Sequence, residues 1–320
     1  MKDVKVSIFC LAYNHRDYIE DAIKGFLMQE TQFPFQIVIH DDASTDGTTE
    51  IIQKYAARYP DLIIPIIQKE NQYSKQPHGW INNYVRPYLS GTYVAQCEGD
   101  DYWTDKTKLQ KQFDFMEAHQ EYSACTHGGK VLNESTKTFS DYHSFPFTGT
   151  ITATQIILGD GALFLTNSIF YRKAAYRNHP YFKQICPIGD YPQIIWLALN
   201  GKIFYMDEIM SVYRVNAKGS WTTTNWHDAN RRKTHCEKMQ LSLEEADRYS
   251  NYKFHAEFLY SIGSIWIHFY KDFPKEKGSL REILSNEYYK KQSSRNKLSV
   301  LLNCYMPKLM KLLRKIRKIQ

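Results

Sequence analysis

The fold class that this 320-residue chain predicts is α/β: a mostly parallel central sheet with helices on both faces, followed by a helical C-terminal region. Three observations carry that expectation. Short β-branched runs alternate with amphipathic stretches in a βαβαβ order. Polar, acidic clusters follow the second and fourth runs, where a parallel sheet presents its ligands. From about residue 227 onward the apolar spacing becomes purely helical.

Val4, Val6 and Ile8 alternate and then give way to a continuous apolar run, which suits a buried first strand over 4–12. Tyr18, Ile19, Ala22, Ile23, Phe26 and Leu27 then fall on one helical stripe. Phe35–His40 reads as the second strand, 47–58 as a helix, and Leu62–Ile67 as the third strand. Trp80–Leu89 is expected to be helical and Tyr93–Cys97 to be a short fourth strand. Residues 105–118 set Leu109, Gln112, Phe113 and Met116 on one side of a helix that Thr104 or Asp105 can cap. From 123 to 215 the pattern mixes short strands and helices. Beyond it Phe254, Phe258, Ile262 and Ile265 mark a helical stripe. The expected organisation is a catalytic domain over 1–222, a helical region over 223–304 and a tail over 305–320, with the boundary near Thr222–Asn230.

Hydrophobic residues make up 43% and charged residues 23%, enough for a sizeable core and against general disorder. No apolar run reaches the roughly 18–20 residues of a membrane span. The start, MKDVKVSIFCLAY, lacks the build of a signal peptide. Six cysteines are scattered without a CxxC pair, which argues against a disulfide framework or a zinc ribbon and for a reducing, cytoplasmic compartment. The net charge of +7 is local: the last 50 residues hold 14 basic and 4 acidic residues, whereas the first 270 hold 27 and 30. A nucleic-acid binder spreads positive charge over its folded face, so nucleic acid is not an expected partner.

Three acidic motifs need explanation. His40-Asp41-Asp42-Ala43-Ser44-Thr45-Asp46-Gly47 follows the second strand. Ser44, Thr45 or Asp46 can cap the next helix, but one cap leaves the Asp41–Asp42 pair unexplained. An EF-hand reading fails because its twelfth position is Gln53 instead of Glu. Glu98-Gly99-Asp100-Asp101-Tyr102-Trp103 follows the fourth strand. Three carboxylates in four residues repel one another unless a cation compensates, and hard oxygen ligands select Mg²⁺ or Mn²⁺; a solvated acidic loop is the alternative. Gly189-Asp190 precedes an apolar run, where Asp190 reads as a helix cap or as a functional acid.

Val6–Asn14, the Asp41-Asp42-x-Ser44-x-Asp46-Gly47-Thr48 turn, Glu98–Asp101 and Gly189-Asp190 occur in that order. Together they resemble the inverting family 2 glycosyltransferases of GT-A fold, of bacterial polysaccharide and cell-envelope type, over roughly residues 4–215. The resemblance implies a sugar transfer from a nucleotide-sugar donor, UDP foremost, to a hydroxyl of a glycan or lipid-linked acceptor. It implies that Tyr13 packs near the base and Asp42 accepts a hydrogen bond from base or ribose. Glu98-x-Asp100 stands as the DxD motif, with Glu98 toward the nucleotide and Asp100 as the principal ligand of Mn²⁺ or Mg²⁺. Asp190 is the implied general base. The chain departs from the pattern in carrying Glu98 for the first Asp, in lacking Q-x-x-R-W after Asp190, and in reading Val215-Asn216 where many relatives have a His. His227 is then either a replacement ligand or a surface residue. Tyr102, Trp103 and Trp221 are candidate sugar platforms, or core and rim aromatics.

In the tail, Leu309, Leu312, Leu313, Ile316 and Ile319 gather on one helical face and Lys311, Arg314, Lys315 and Lys318 on the other. That pattern suits an anionic membrane surface, hence a peripheral location at the inner face of the cytoplasmic membrane; a packed helix with a solvated basic face is the alternative. Two rival functions remain. A nucleotidyltransferase would carry a Gly/Arg/Lys-rich phosphate loop, which residues 11–17 lack. A catalytically inactive binding module sits poorly with intact Asp42, Asp100 and Asp190.

Overall fold

The computed structural model describes residues 3–75, 80–159, 161, 163–176, 180–217 and 228–311. The chain divides into two compact units: Met1–Pro180 with Gln193–Thr223, and Tyr181–Pro192 with Thr224–Gln320.

The first unit is built on one ten-stranded sheet. Its strands are β1 (Val6–Ala12), β2 (Phe35–Asp41), β3 (Ile63–Ile67), β4 (Tyr93–Gln96), β5 (Tyr102–Trp103), β6 (Tyr122–Asn133), β7 (Thr138–Tyr142), β8 (Gly149–Ile151), β9 (Phe170–Arg172) and β10 (Lys202–Val215). Their order is β3-β2-β1-β4-β9-β6-β10-β5, with β7 on β6 and β8 on β10. The first four run parallel, as do β6 and β10; β9 is antiparallel to both neighbours, and β5, β7 and β8 join antiparallel. The expected α/β class is therefore found.

The central strands β1, β2 and β4 are apolar because both faces are covered; Val6, Ile8, Ile37, Ile39 and Ala95 have no exposed surface. The helix Ile19–Leu27 buries the anticipated stripe of Ile19, Ala22, Ile23 and Phe26. The Ile19, Ile23 and Phe26 side chains each contribute roughly 1.5–3 kcal/mol on leaving water. Gly25 lets this helix touch β5, since a Cβ there would stand 2.9 Å from the Trp103 backbone N. The segment expected as one helix from Trp80 to Leu89 is instead a helix Trp80–Tyr84 and a 3₁₀ turn Arg86–Tyr88, because Pro87 cannot continue an α-helix.

The second unit contains the helices Tyr181–Ile185, Ala229–Tyr249, His255–Asp272, Leu280–Ser285, Glu287–Lys290 and Ser294–Tyr305. Asp228, Ser279, Asn286 and Ser293 each accept a backbone N–H at a helix start. Its core gathers Ile267, Ile283, Tyr289, Val300 and Cys304. Among the described residues no helix is long and apolar enough to cross a membrane. All six cysteines are buried and free.

Candidate active site

The tips of β1, β2 and β4 meet at one edge of the sheet. The Asp42 N–H bonds the Ala12 carbonyl at 3.0 Å, and the Gly99 N–H bonds the Leu11 carbonyl at 2.7 Å. Tyr13, directly after β1, is 47% exposed and available to a ligand. Asn14 follows in the left-handed region at φ 55°, which Asn tolerates. It locks the β1 tip to the β2 turn: its N–H bonds Ser44 Oγ at 2.8 Å, and its Oδ1 accepts the Thr45 N–H at 2.8 Å.

In the turn after β2 the carboxylates are engaged by the chain itself. Asp41 accepts from the Ser44 N–H and hydroxyl and from the Thr49 hydroxyl. Asp46 accepts from the N–H and hydroxyl of Thr48 and, at 3.0 Å, from the Arg16 N–H. The helix Thr48–Arg58 starts from Gly47, at φ 106°, with no side-chain bond at that N-cap; Asp46, one residue earlier, accepts the N–H of the first helical residue Thr48, so none of Ser44, Thr45 and Asp46 is the cap expected from the sequence. Asp42 has a different job: its two oxygens accept the N–H groups of Gln72 and Tyr73 at 2.7 and 3.0 Å, anchoring the short helix Gln72–Lys75. The pair left over by the capping argument is therefore divided, one acid to each side of the turn.

The turn after β4 is built otherwise. The Asp101 N–H closes it on the Glu98 carbonyl at 3.1 Å. Gly99 is required by space, since a Cβ would stand 2.9 Å from both His15 Nδ1 and Ile19 Cδ1. Asp100 places a carboxylate oxygen 4.0 Å from His15 Nε2, and no described residue donates a hydrogen bond to that carboxylate. Asp101 is 1% exposed and accepts from Asn167 Nδ2 at 3.1 Å and the Arg214 N–H at 2.8 Å. Burial first, then the charges of Asp100 and Glu98, raises its carboxyl well above the usual carboxylate range. The same burial and acids hold the Cys10 and Cys97 thiols protonated.

The aromatics beside this turn divide as well. Trp103 is 2% exposed: it packs edge-on against Phe26, lies 4.0 Å from Lys108 Nζ, and donates its indole N–H to the Asn167 carbonyl at 2.9 Å. It is a core side chain and offers no ring face to a sugar. Tyr102 is half-buried and borders an open groove with Asp21, Lys24, Gly25 and Met28.

Three residues here had no sequence signal as isolated motifs: His15, Asn167 and Arg214. The Asn14-His15 position beside the β1 tip was the available hint for the first. Asp190 opens the helix Asp190–Leu199, belongs to the second unit, and accepts the Tyr191 N–H at 2.7 Å. Trp221 and His227 lie outside the described residues, as does the tail beyond Lys311.

Oxygen donors on the β4 turn suit a hard divalent ion. Among the described residues no three His, Cys, Asp or Glu side chains converge as a ready cage.

A family model describing glycosyl transferase family 2 matches residues 7–185. The chain belongs to that family. An uncharacterized Mycobacterium tuberculosis protein is 36% identical over 219 residues, covering 68% of this chain and 60% of the relative. This glycosyl transferase family 2 chain thus spans about 60% of that relative's length. Escherichia coli WfaP, named UDP-Glc:alpha-D-GlcNAc-diphosphoundecaprenol beta-1,3-glucosyltransferase, is 36% identical over 115 residues, covering 36% of this chain and 42% of WfaP. Among solved structures, S. aureus TarS 1-349 in complex with UDP aligns with a TM-score of 0.59 at 20% identity, covering 87% of this chain and 77% of TarS 1-349. The Pyrobaculum calidifontis mannosyltransferase PcManGT, in complex with GDP-Man and Mn²⁺, aligns at 0.54 and 14% identity, covering 95% and 88%. These two likenesses show the fold.

Proposed function

We propose that this family 2 member is an inverting, metal-dependent glycosyltransferase that moves a sugar from a UDP-sugar to a hydroxyl of a glycan or lipid-linked acceptor. The observation that carries the reading is the β4 turn, tied to the β1 tip through the Gly99 N–H, whose Asp100 carboxylate receives no hydrogen bond among the described residues. Tyr13 stacks on the base, Asp42 accepts from base or ribose through lone pairs its two backbone donors leave open, and Glu98 faces the nucleotide. Asp100 holds Mn²⁺ or Mg²⁺. When bound, the ion neutralises charge on the diphosphate as it leaves.

Asp190 takes the proton of the acceptor hydroxyl while its oxygen bonds the anomeric carbon; the bond from that carbon to the phosphate oxygen breaks, and the nucleoside diphosphate departs. One displacement from the opposite face inverts the configuration. Tyr102, and Trp221 beyond the described residues, are the ring contacts for sugar or acceptor. The catalytic region is residues 1–222, the helical region 223–304. The basic tail 305–320 brings the enzyme to an anionic membrane surface and a lipid-linked acceptor.

The test is donor turnover by the purified protein with UDP-glucose and UDP-N-acetylglucosamine, with Mn²⁺ or with EDTA. Asp190→Asn is expected to lower turnover by at least ~10²-fold with UDP binding retained. Turnover within a factor of two of the unaltered protein removes Asp190 from the mechanism, and turnover unaffected by EDTA removes the metal.

A further inference from the structure

We propose that Arg214 is the positioning residue of the β4 turn, the group that sets Asp100 and Glu98 to receive the ion-bound diphosphate; this rests on the donor reading above. Arg214 sits near the end of β10, with its side chain 6% exposed. Its Nη1 donates to the Asp100 carbonyl at 2.7 Å, Nη2 to Asp21 Oδ2 at 2.6 Å, and Nε to Glu134 Oε1 at 2.9 Å. Its guanidinium lies 5.0 Å from the Tyr18 ring centre and 4.6 Å from that of Tyr102. Its own backbone N–H holds Asp101 Oδ1. One residue thus grips the turn twice, through the Asp100 peptide and through the Asp101 side chain, and ties it to the helix Ile19–Leu27 and to the end of β6.

The guanidinium is enclosed, faces inward and is occupied by the protein, so it acts through the turn and touches no substrate. Stability alone is a poor reason for this arrangement, because buried ion networks are often matched by apolar packing of the same volume. What apolar packing cannot supply is a fixed peptide plane at Asp100. Three carboxylates within four residues push apart, and a planar fork with several fixed donors can hold their turn in one conformation where a flexible ammonium cannot.

The experiment is calorimetric titration of UDP into the unaltered chain, Arg214→Lys and Asp21→Asn, each with and without Mn²⁺, alongside thermal melts. In the unaltered chain Mn²⁺ is expected to tighten UDP binding. Arg214→Lys keeps the charge and the metal-free UDP affinity but loses roughly 10–100-fold of the Mn²⁺-dependent gain, the usual cost of disturbing residues behind a metal ligand. Asp21→Asn, at a carboxylate whose side chain is 49% exposed, is expected to give a smaller loss of the same gain. A merely structural role predicts lower melting temperatures with metal-free and metal-bound affinities falling together, and that result overturns the proposal. A full Mn²⁺ gain in folded Arg214→Lys overturns it too; should that variant not fold, a full gain in Asp21→Asn does so. No gain in the unaltered chain overturns the metal reading of the turn, and the positioning role with it.

Discussion

The turns after β2 and β4 have similar compositions and opposite constructions. In the first, Asp41, Asp42 and Asp46 all receive backbone N–H groups from nearby segments. In the second, Asp101 is drawn inside by Asn167 and Arg214, while Asp100 has an imidazole nearby and, among the described residues, no donor on its carboxylate. The glycines differ in the same way. Gly47 is needed for its φ of 106°, Gly99 for the 2.9 Å gap it leaves to His15 and Ile19. An acidic cluster is thus no single signal. Where backbone donors converge on it, the acids organise a loop; where they do not, as at Asp100 among the described residues, a carboxylate stays open to another partner.

The largest expected effect tests that contrast directly. Asp100→Ala is expected to cost at least ~10-fold in Mn²⁺-dependent donor turnover, with stability unchanged within about 0.5 kcal/mol. If chemical denaturation shows a large loss of stability while metal-dependent turnover persists, the two turns are alike after all.

Next come the glycines. Gly99→Ala forces His15 or Ile19 aside and is expected to destabilise by about 1–3 kcal/mol through overpacking, with donor turnover falling as the Asp100 turn shifts. Gly47→Ala strains a left-handed backbone at about 1–2 kcal/mol and leaves turnover per folded molecule intact. Urea midpoints and initial rates on both variants decide the matter. Equal effects on rate would erase the distinction between a space requirement and a conformational one.

A third prediction concerns Lys108, fully buried near the second turn with Nζ 2.7 Å from Gln112 Oε1. Burial lowers its pKa to about 7 from the ordinary 10.5. Between these values the unfolded chain holds a proton that the folded chain has lost, so stability rises with pH from about 7 to 10.5 and this contribution is flat below. The slope has an upper bound of roughly 1.4 kcal/mol per pH unit. Lys108→Met should flatten it, as read by urea unfolding at several pH values; an unaltered slope places the titrating group elsewhere. The smallest effect is at the start of the helix Thr48–Arg58: Asp46→Ala, which removes an acceptor from the Arg16 and Thr48 N–H groups, is expected to cost ~1 kcal/mol, a fall of about 2–4 °C in Tm, without change in the Mn²⁺ response. A lost response would make the first turn part of the metal site.

Much of the first unit was legible in the sequence. The strands β1 to β4 and the helices between them follow from period-two and helical apolar spacing, which is local information. The apolar pattern of Trp80–Leu89 runs past the end of the helix at Tyr84 because Pro87 acts against it. Between 123 and 215 the antiparallel insertions β7, β8 and β9 are short, and such strands acquire their identity from the partner they pair with. In the second unit the stripe of Phe254, Phe258, Ile262 and Ile265 lies slightly off the buried face, where Phe258, Ile267 and Phe269 lie deepest.

The chain's own order of residues determined the alternation of strands and helices and put acidic clusters at strand ends, because periodicity and turn chemistry act over a few residues. Tertiary structure alone decided which acid is enclosed, which ring is core and which cation organises the turn. Asp101 meets the Arg214 N–H across 113 positions, and Arg214 meets Asp21 across 193. Desolvation and hydrogen bonding at such separations depend on which strands become neighbours, and no local pattern encodes that.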